Sequence, residues 1–174
     1  MHVLVVTGAS GAGKTTAVRA IEARALTGVR CFYFDSIGVP TPEEMRCDDC
    51  GGEEWQLRAT RWWLNELDKL DSAIRIAVLD GQTRPSYIIE AAKSVSRTVE
   101  TVLLDCAQSE RERRLHEGRG QPELVTDEMN SWAAYLRGQA DALGLPIVDT
   151  SRLAPPAVAD RLVEVVIRIL AVSA

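Results

Sequence analysis

The sequence predicts an α/β architecture, a doubly wound five-stranded parallel sheet with helices on both faces. Three observations carry that expectation. Short apolar runs alternate along the chain with segments of 3.6-residue periodicity. The runs are apolar throughout rather than at every second position, as strands covered on both faces are. The third is size: 174 residues, 46% of them hydrophobic, match one domain with a packed core, here residues 1–174.

Taken in order, the strands are predicted at 2–6, 30–35, 74–80, 99–105 and 146–149, where Val, Ile, Leu and aromatic residues cluster. Helical patterns fall between and after them, at 14–26, 53–70, 85–95, 109–116, 126–143 and 155–172. Right-handed crossovers bring the loops that follow the strands to one edge of the sheet, where ligands bind in such folds. Functional residues are expected there. No repeat, low-complexity tract or linker divides the chain.

Composition removes several classes of function. With 20 basic and 25 acidic residues the net charge is −5, so no overall positive field is available for nucleic acid or an anionic membrane. No apolar stretch approaches the ~20 residues of a membrane span. The apolar run at the start breaks at Thr7-Gly8 without a basic region before it, too short for a secretory leader. A cytoplasmic protein is expected, with no nucleic-acid or membrane partner; oligomeric state is not legible.

The four cysteines are too few for a disulfide scaffold, and a reducing compartment keeps them as thiols. Cys47 and Cys50 form a C-x-x-C that reads as a polar loop, a redox pair or half of a metal site. His2 and His116 are the only histidines, and neither has a serine or cysteine around it that makes a triad.

The strongest signal follows the first strand. Gly8-Ala9-Ser10-Gly11-Ala12-Gly13-Lys14-Thr15 fits G-x-x-x-x-G-K-[ST], placed between a strand and a helix as that motif requires. Glycines at 8, 11 and 13 allow successive backbone N–H groups, including those of Ser10 and Ala12, to turn inward onto phosphate oxygens. The N-terminus of the next helix, with Thr16 in its first turn, adds its dipole. Lys14 supplies a charge for the β- and γ-phosphates, and Thr15 a hydroxyl for Mg²⁺. A nucleoside triphosphate, ATP, and Mg²⁺ are therefore the expected cofactors. The third strand ends in Asp80, a carboxylate suited to the metal's water shell.

Asp80 is followed by Gly81-Gln82-Thr83-Arg84-Pro85. With the glycine loop, this stretch resembles the nucleoside monophosphate kinase group of P-loop kinases, whose members carry Asp-Gly-x-x-Arg after the third strand. The resemblance implies that Arg84 holds the acceptor phosphate. Gln82 and Thr83 replace the aromatic residue and proline of adenylate kinases, which argues against AMP as acceptor. Asp35-Ser36 resembles the acidic position that shikimate kinases and chloramphenicol phosphotransferases set near an acceptor hydroxyl, although cytidylate kinases carry a similar pair. By that likeness Asp35 orients or deprotonates the acceptor; as a bare residue it equally suits a helix cap.

Arg111, Arg114 and Arg119 match the lid arginines of the same group, in a short lid at about 111–125, and are expected to neutralise charge during transfer. Glu110 and Arg114 also form an i,i+4 pair on a solvated face. Arg137 is a weaker candidate for a phosphate contact. An acceptor-binding insertion is expected at about 36–73. There Trp55, Arg58, Arg61, Trp62 and Trp63 read either as an aromatic wall with cations or as helix residues, Trp55 and Trp62 lying with Leu57, Leu64, Leu67 and Leu70 on a buried face. The strand at 146–149, with Thr150 and Ser151, resembles the last strand and turn of these kinases, which approach adenine.

The expected activity is transfer of the γ-phosphoryl group of ATP to a small acceptor, as in nucleoside monophosphate kinases. A hydroxyl-directed kinase of a metabolite or antibiotic, and a regulatory ATPase with no phosphoryl acceptor, are the alternatives.

Overall fold

The computed structural model describes residues 2–41, 43, 51–118 and 120–172. Five parallel strands, β1 (His2–Thr7), β2 (Val29–Tyr33), β3 (Ile76–Asp80), β4 (Thr98–Asp105) and β5 (Ile147–Asp149), form one open sheet in the order β2-β3-β1-β4-β5. The helices are α1 (Lys14–Glu22), α2 (Gly51–Asp68), α3 (Pro85–Ala92), α4 (Gln108–Arg113), α5 (Asp127–Ala142) and α6 (Pro155–Val172).

Neighbouring residues of one strand point to opposite faces of the sheet. Leu4, Val6, Ile76 and Val78 pack against α1 and α6, while Val3, Val5, Ala77 and Leu79 pack against α2 and α3. All eight are buried, which is why these runs are continuously apolar. A third cluster sets Leu103 of β4 against Ala133, Leu136 and Ala140 of α5. The paired strands β1 and β3 thus send their following helices to opposite faces, which opens a crevice at their C-terminal ends. No described helix is long and apolar enough to cross a membrane.

Several boundaries differ from expectation. The strand expected at 30–35 stops at Tyr33, which pairs with Asp80, the last residue of β3. Phe34–Ile37 then forms a 3₁₀ turn that buries Phe34 and leaves Asp35 exposed. The helix expected at 14–26 ends at Glu22; three residues on, Ala25 takes a positive φ of 47°. The segment expected as a helix over 109–116 is α4 followed by a π turn, Arg114–Gly118.

Helix α2 requires a correction of face. Its buried stripe is Ala59, Thr60, Trp63, Leu64 and Leu67, whereas Trp62 is 46% exposed. Trp63 takes the place expected of Trp62 because the stripe runs along 59/63/67 and 60/64, and Trp62 falls on its flank. The indole of Trp63 donates to Phe34 O at 3.0 Å, and Trp62 leans edge-on against it, with centroids 5.1 Å apart.

Candidate active site

The loop after β1 is shaped by what its glycines lack. A Cβ on Gly8 would fall onto the Leu104 carbonyl of the adjacent β4, so only glycine lets the chain leave the sheet there. Gly11 has φ +82°, and a Cβ on it would lie 2.7 Å from Arg111 Cγ. The loop leads through Gly13 into α1, which has no side-chain cap and no acidic residue in its first turn. Its leading N–H groups and dipole therefore favour an anion at the mouth of the loop.

Lys14, 8% exposed, folds back over the loop and donates from Nζ to Ala9 O at 3.1 Å. Thr15 Oγ1 donates to Asp80 Oδ2 at 2.6 Å, and Ser10 Oγ donates to Gln82 Oε1 at 3.0 Å. Among the described residues no group of three or more His, Cys, Asp or Glu side chains gathers to hold a metal by itself. A hydroxyl and a carboxylate fit a hard cation that keeps waters and takes its remaining oxygens from phosphates, as Mg²⁺ does.

Beside the loop lies a cavity of about 730 Å³, walled by α1, α4 and the turn from β5 into α6. Thr16 and Arg19 line one side, Glu110 and Arg114 another, and Leu153 and Pro155 the far end. Arg114 is built into this wall. Its Nε donates to Glu110 at 2.7 Å, its Nη1 to Thr150 Oγ1 at 2.9 Å and its Nη2 to Thr150 O at 2.7 Å. Thr150, fully buried, donates in turn to Ala12 O at 3.0 Å. The expected Glu110–Arg114 pair is therefore present, but as one link in a chain that reaches the glycine loop. Hydrogen bonds from Arg113 first, then Arg114, hold the Glu110 carboxyl down at about 2.

Arg111 is 4% exposed and backs the loop from below. Its Nη2 donates to Asn130 Oδ1 on α5, and its buried Nε has no hydrogen-bond partner among the described residues. Arg111 and Arg114 thus stand one turn apart but act differently, the first lying under the loop and the second beside it. Arg119, like Cys47 and Cys50, lies outside the described residues. Arg137 is exposed and bridges Asp105 and Asp141 at 3.1 and 3.0 Å. Burial pushes the Cys31 thiol up to about 11 and raises that of Cys106, which makes both poor nucleophiles.

The other flank of the crevice is organised around Arg84. Pro85 starts α3, and Arg84 precedes it as the cap residue. Gln56 of α2 holds the turn through three bonds. Its Nε2 donates to Gln82 O at 2.9 Å, while its Oε1 accepts from Arg84 N at 3.3 Å and Arg84 Nη1 at 2.7 Å. Thr83 is fully buried and tied to both neighbours: its carbonyl accepts from Thr7 Oγ1 at 2.6 Å, and its hydroxyl meets Thr60 Oγ1 at 2.7 Å. The Arg84 guanidinium lies over Trp132, Tyr87 and Tyr135. Asp35 stands on the 3₁₀ turn after β2, and its carboxylate has no partner among the described residues.

Gln56, Thr60, Trp132 and Tyr135 were not singled out in the sequence. The one available signal was the i,i+3 spacing of Trp132 and Tyr135, whose rings stack at 5.6 Å.

No family model matches the sequence, and neither does any curated protein. Solved structures do match. The shikimate kinase from Acinetobacter baumannii in complex with shikimate superposes with a TM-score of 0.64 at 18% identity, over 97% of this chain and 94% of that one. A gluconokinase from Sinorhizobium meliloti 1021 gives 0.60 at 18%, over 95% of each chain. Deoxyadenosine kinase from M. mycoides with bound dATP gives 0.61 at 13%, over 94% of this chain and 98% of that one. Identities this low speak to architecture. The chain shares the fold of these three proteins, which are small-molecule and nucleoside kinases.

Proposed function

We propose that this chain is an ATP- and Mg²⁺-dependent kinase that moves the γ-phosphoryl group to a small acceptor, in the manner of a nucleoside monophosphate kinase. The observation that carries the reading is the meeting of Thr15 with Asp80 at 2.6 Å, directly under a glycine loop whose amides and lysine suit a triphosphate. The loop, Lys14 and the start of α1 position the β- and γ-phosphates, and the 730 Å³ cavity takes the nucleoside. Thr15 and Asp80 would hold Mg²⁺, which when bound would neutralise charge on the phosphate oxygens.

An acceptor oxygen attacks the γ-phosphorus; the new O–P bond forms as the bond to the β-bridging oxygen breaks, and ADP leaves. Arg84 holds the acceptor. Arg114 reaches the loop from the cavity side, its Nη1 3.4 Å from Gly11 O, and Arg111 supports the loop from behind. Arg119 is proposed to neutralise developing charge.

A second reading, a hydroxyl-directed kinase, is favoured by Asp35. Its unpartnered, exposed carboxylate at the same sheet edge suits the proton released when an alcohol attacks. The test of both is γ-labelled ATP incubated with nucleotides, sugars, hydroxy acids and aminoglycoside or phenicol antibiotics, with products resolved by mass. A labelled acceptor formed in step with ADP supports the kinase, and its class chooses between the readings. Hydrolysis without any labelled acceptor contradicts both and favours a regulatory ATPase.

A further inference from the structure

Arg84, in the turn between β3 and α3, has its charge already matched. Its Nη2 donates to Glu53 Oε1 at 2.6 Å, and its Nη1 to Gln56. The guanidinium carbon lies 4.7 Å from the Trp132 ring centroid, 5.1 Å from that of Tyr87 and 5.7 Å from that of Tyr135. The two halves of the ion pair are held very differently. The Arg84 side chain is 12% exposed, whereas that of Glu53 is 75% exposed and has Arg84 as its one partner among the described residues.

We propose that Glu53 is a displaceable counter-ion, which occupies the oxyanion position at Arg84 and yields it to a carboxylate or phosphate group on the acceptor. The inference rests on the reading of Arg84 as the acceptor-holding residue. A guanidinium enclosed by three rings is costly without an opposing charge. A tethered carboxylate removes that cost while the cleft is open. Releasing Glu53 is cheap, because it returns to water in the first turn of α2, where a negative charge is favoured by the helix dipole. The exchange is therefore one anion for another. An uncharged group cannot make it, since it would leave the enclosed cation unpaired. Glu53 thereby selects acceptors that carry an oxyanion, and it sets how tightly they bind.

The test titrates inorganic phosphate, and separately acetate, into the wild-type protein, Glu53→Gln, Arg84→Met and the double variant. Tryptophan emission is followed, since Trp132 abuts Arg84. Subtracting the matched Arg84→Met titration removes binding at the glycine loop. The Arg84-dependent affinity for at least one anion is expected to rise roughly twofold to fivefold in Glu53→Gln, the range an exposed ion pair commands. The anion that gains more identifies the acceptor group as phosphate or carboxylate. Glu53→Ala is expected to behave likewise. Unchanged or weaker anion binding in both Glu53 variants overturns the proposal, and is the result expected if the pair merely staples α2 to the turn. A parallel titration with a magnesium-loaded, non-hydrolysable ATP analogue separates the two readings: failure of that binding contradicts the kinase, while failure of the anion response alone contradicts the role of Glu53.

Discussion

Thr15 Oγ1 donates to Asp80 Oδ2 across 2.6 Å, tying the first turn of α1 to the last residue of β3. Register makes this possible: Asp80 pairs with Val6, so the carboxylate stands beside the place where the chain leaves β1 for the glycine loop. Asp80→Asn keeps the shape and removes the charge. It is expected to weaken magnesium-dependent ATP binding or turnover about 10–100-fold, the usual cost of losing an outer-sphere partner. Titration of activity with Mg²⁺ checks this, and an unchanged metal requirement would count against the assignment.

Gly11→Ala places a methyl group 2.7 Å from Arg111 Cγ at a backbone φ of +82°. The left-handed conformation alone costs about 1–2 kcal/mol for an L-residue. Melting temperature is expected to fall by roughly 3–8 °C, with nucleotide binding reduced more than about tenfold as the loop shifts. Thermal denaturation and nucleotide titration read the two effects separately.

Gly138→Ala should do the opposite. Gly138 lies inside α5, and a Cβ there meets nothing within 4 Å. A gain of about 0.5–1 kcal/mol is expected from the lower backbone freedom of alanine. Chemical denaturation measures it, and a loss of stability would show that the helix is not formed there.

Gln56→Leu removes the amide that joins Arg84 to the Gln82 carbonyl. Part-buried polar groups are left unpaired, at about 1–3 kcal/mol. The expected result is a loss of roughly tenfold or more in kcat/KM for the acceptor, with ATP affinity retained. An equal loss in both would mean that Gln56 supports the whole crevice rather than Arg84.

Acid should loosen the wall of the cavity beside the glycine loop. The Glu110 carboxyl sits at about 2 instead of its ordinary 4.5, chiefly through hydrogen bonds from Arg113 and then Arg114. A depressed carboxylate stabilises the fold above its ordinary value, and that contribution disappears as pH falls from about 4.5 towards about 2. Melting temperature followed through this window should fall more steeply for the wild type than for Glu110→Gln. Parallel curves would contradict the pairing.

The fold was legible because its strands are buried on both faces. Apolar runs mark all five strands to within two or three residues, and the glycine loop carries its own spacing rule. The β3 carboxylate followed from its place at a strand end. What the sequence left open depended on contacts distant in sequence. Trp62 and Trp63 are chemically alike, and only the packing of α2 on Phe34 decides which is buried. Arg111 and Arg114 are three apart, yet the space left by Gly11, a hundred residues earlier, draws Arg111 beneath the loop. Gln56 and Glu53 meet Arg84 across roughly thirty residues, a pairing that no local pattern announces.

The central claim is that the loop from Gly8 to Thr15 holds a nucleoside triphosphate. Calorimetric titration of the wild type and Lys14→Ala with a magnesium-loaded, non-hydrolysable ATP analogue tests it most directly. Saturable one-to-one binding is expected for the wild type, weakened at least about tenfold in the variant, as loss of a charge-assisted contact requires. Equal affinity in the two proteins, or no binding by the wild type, would contradict it.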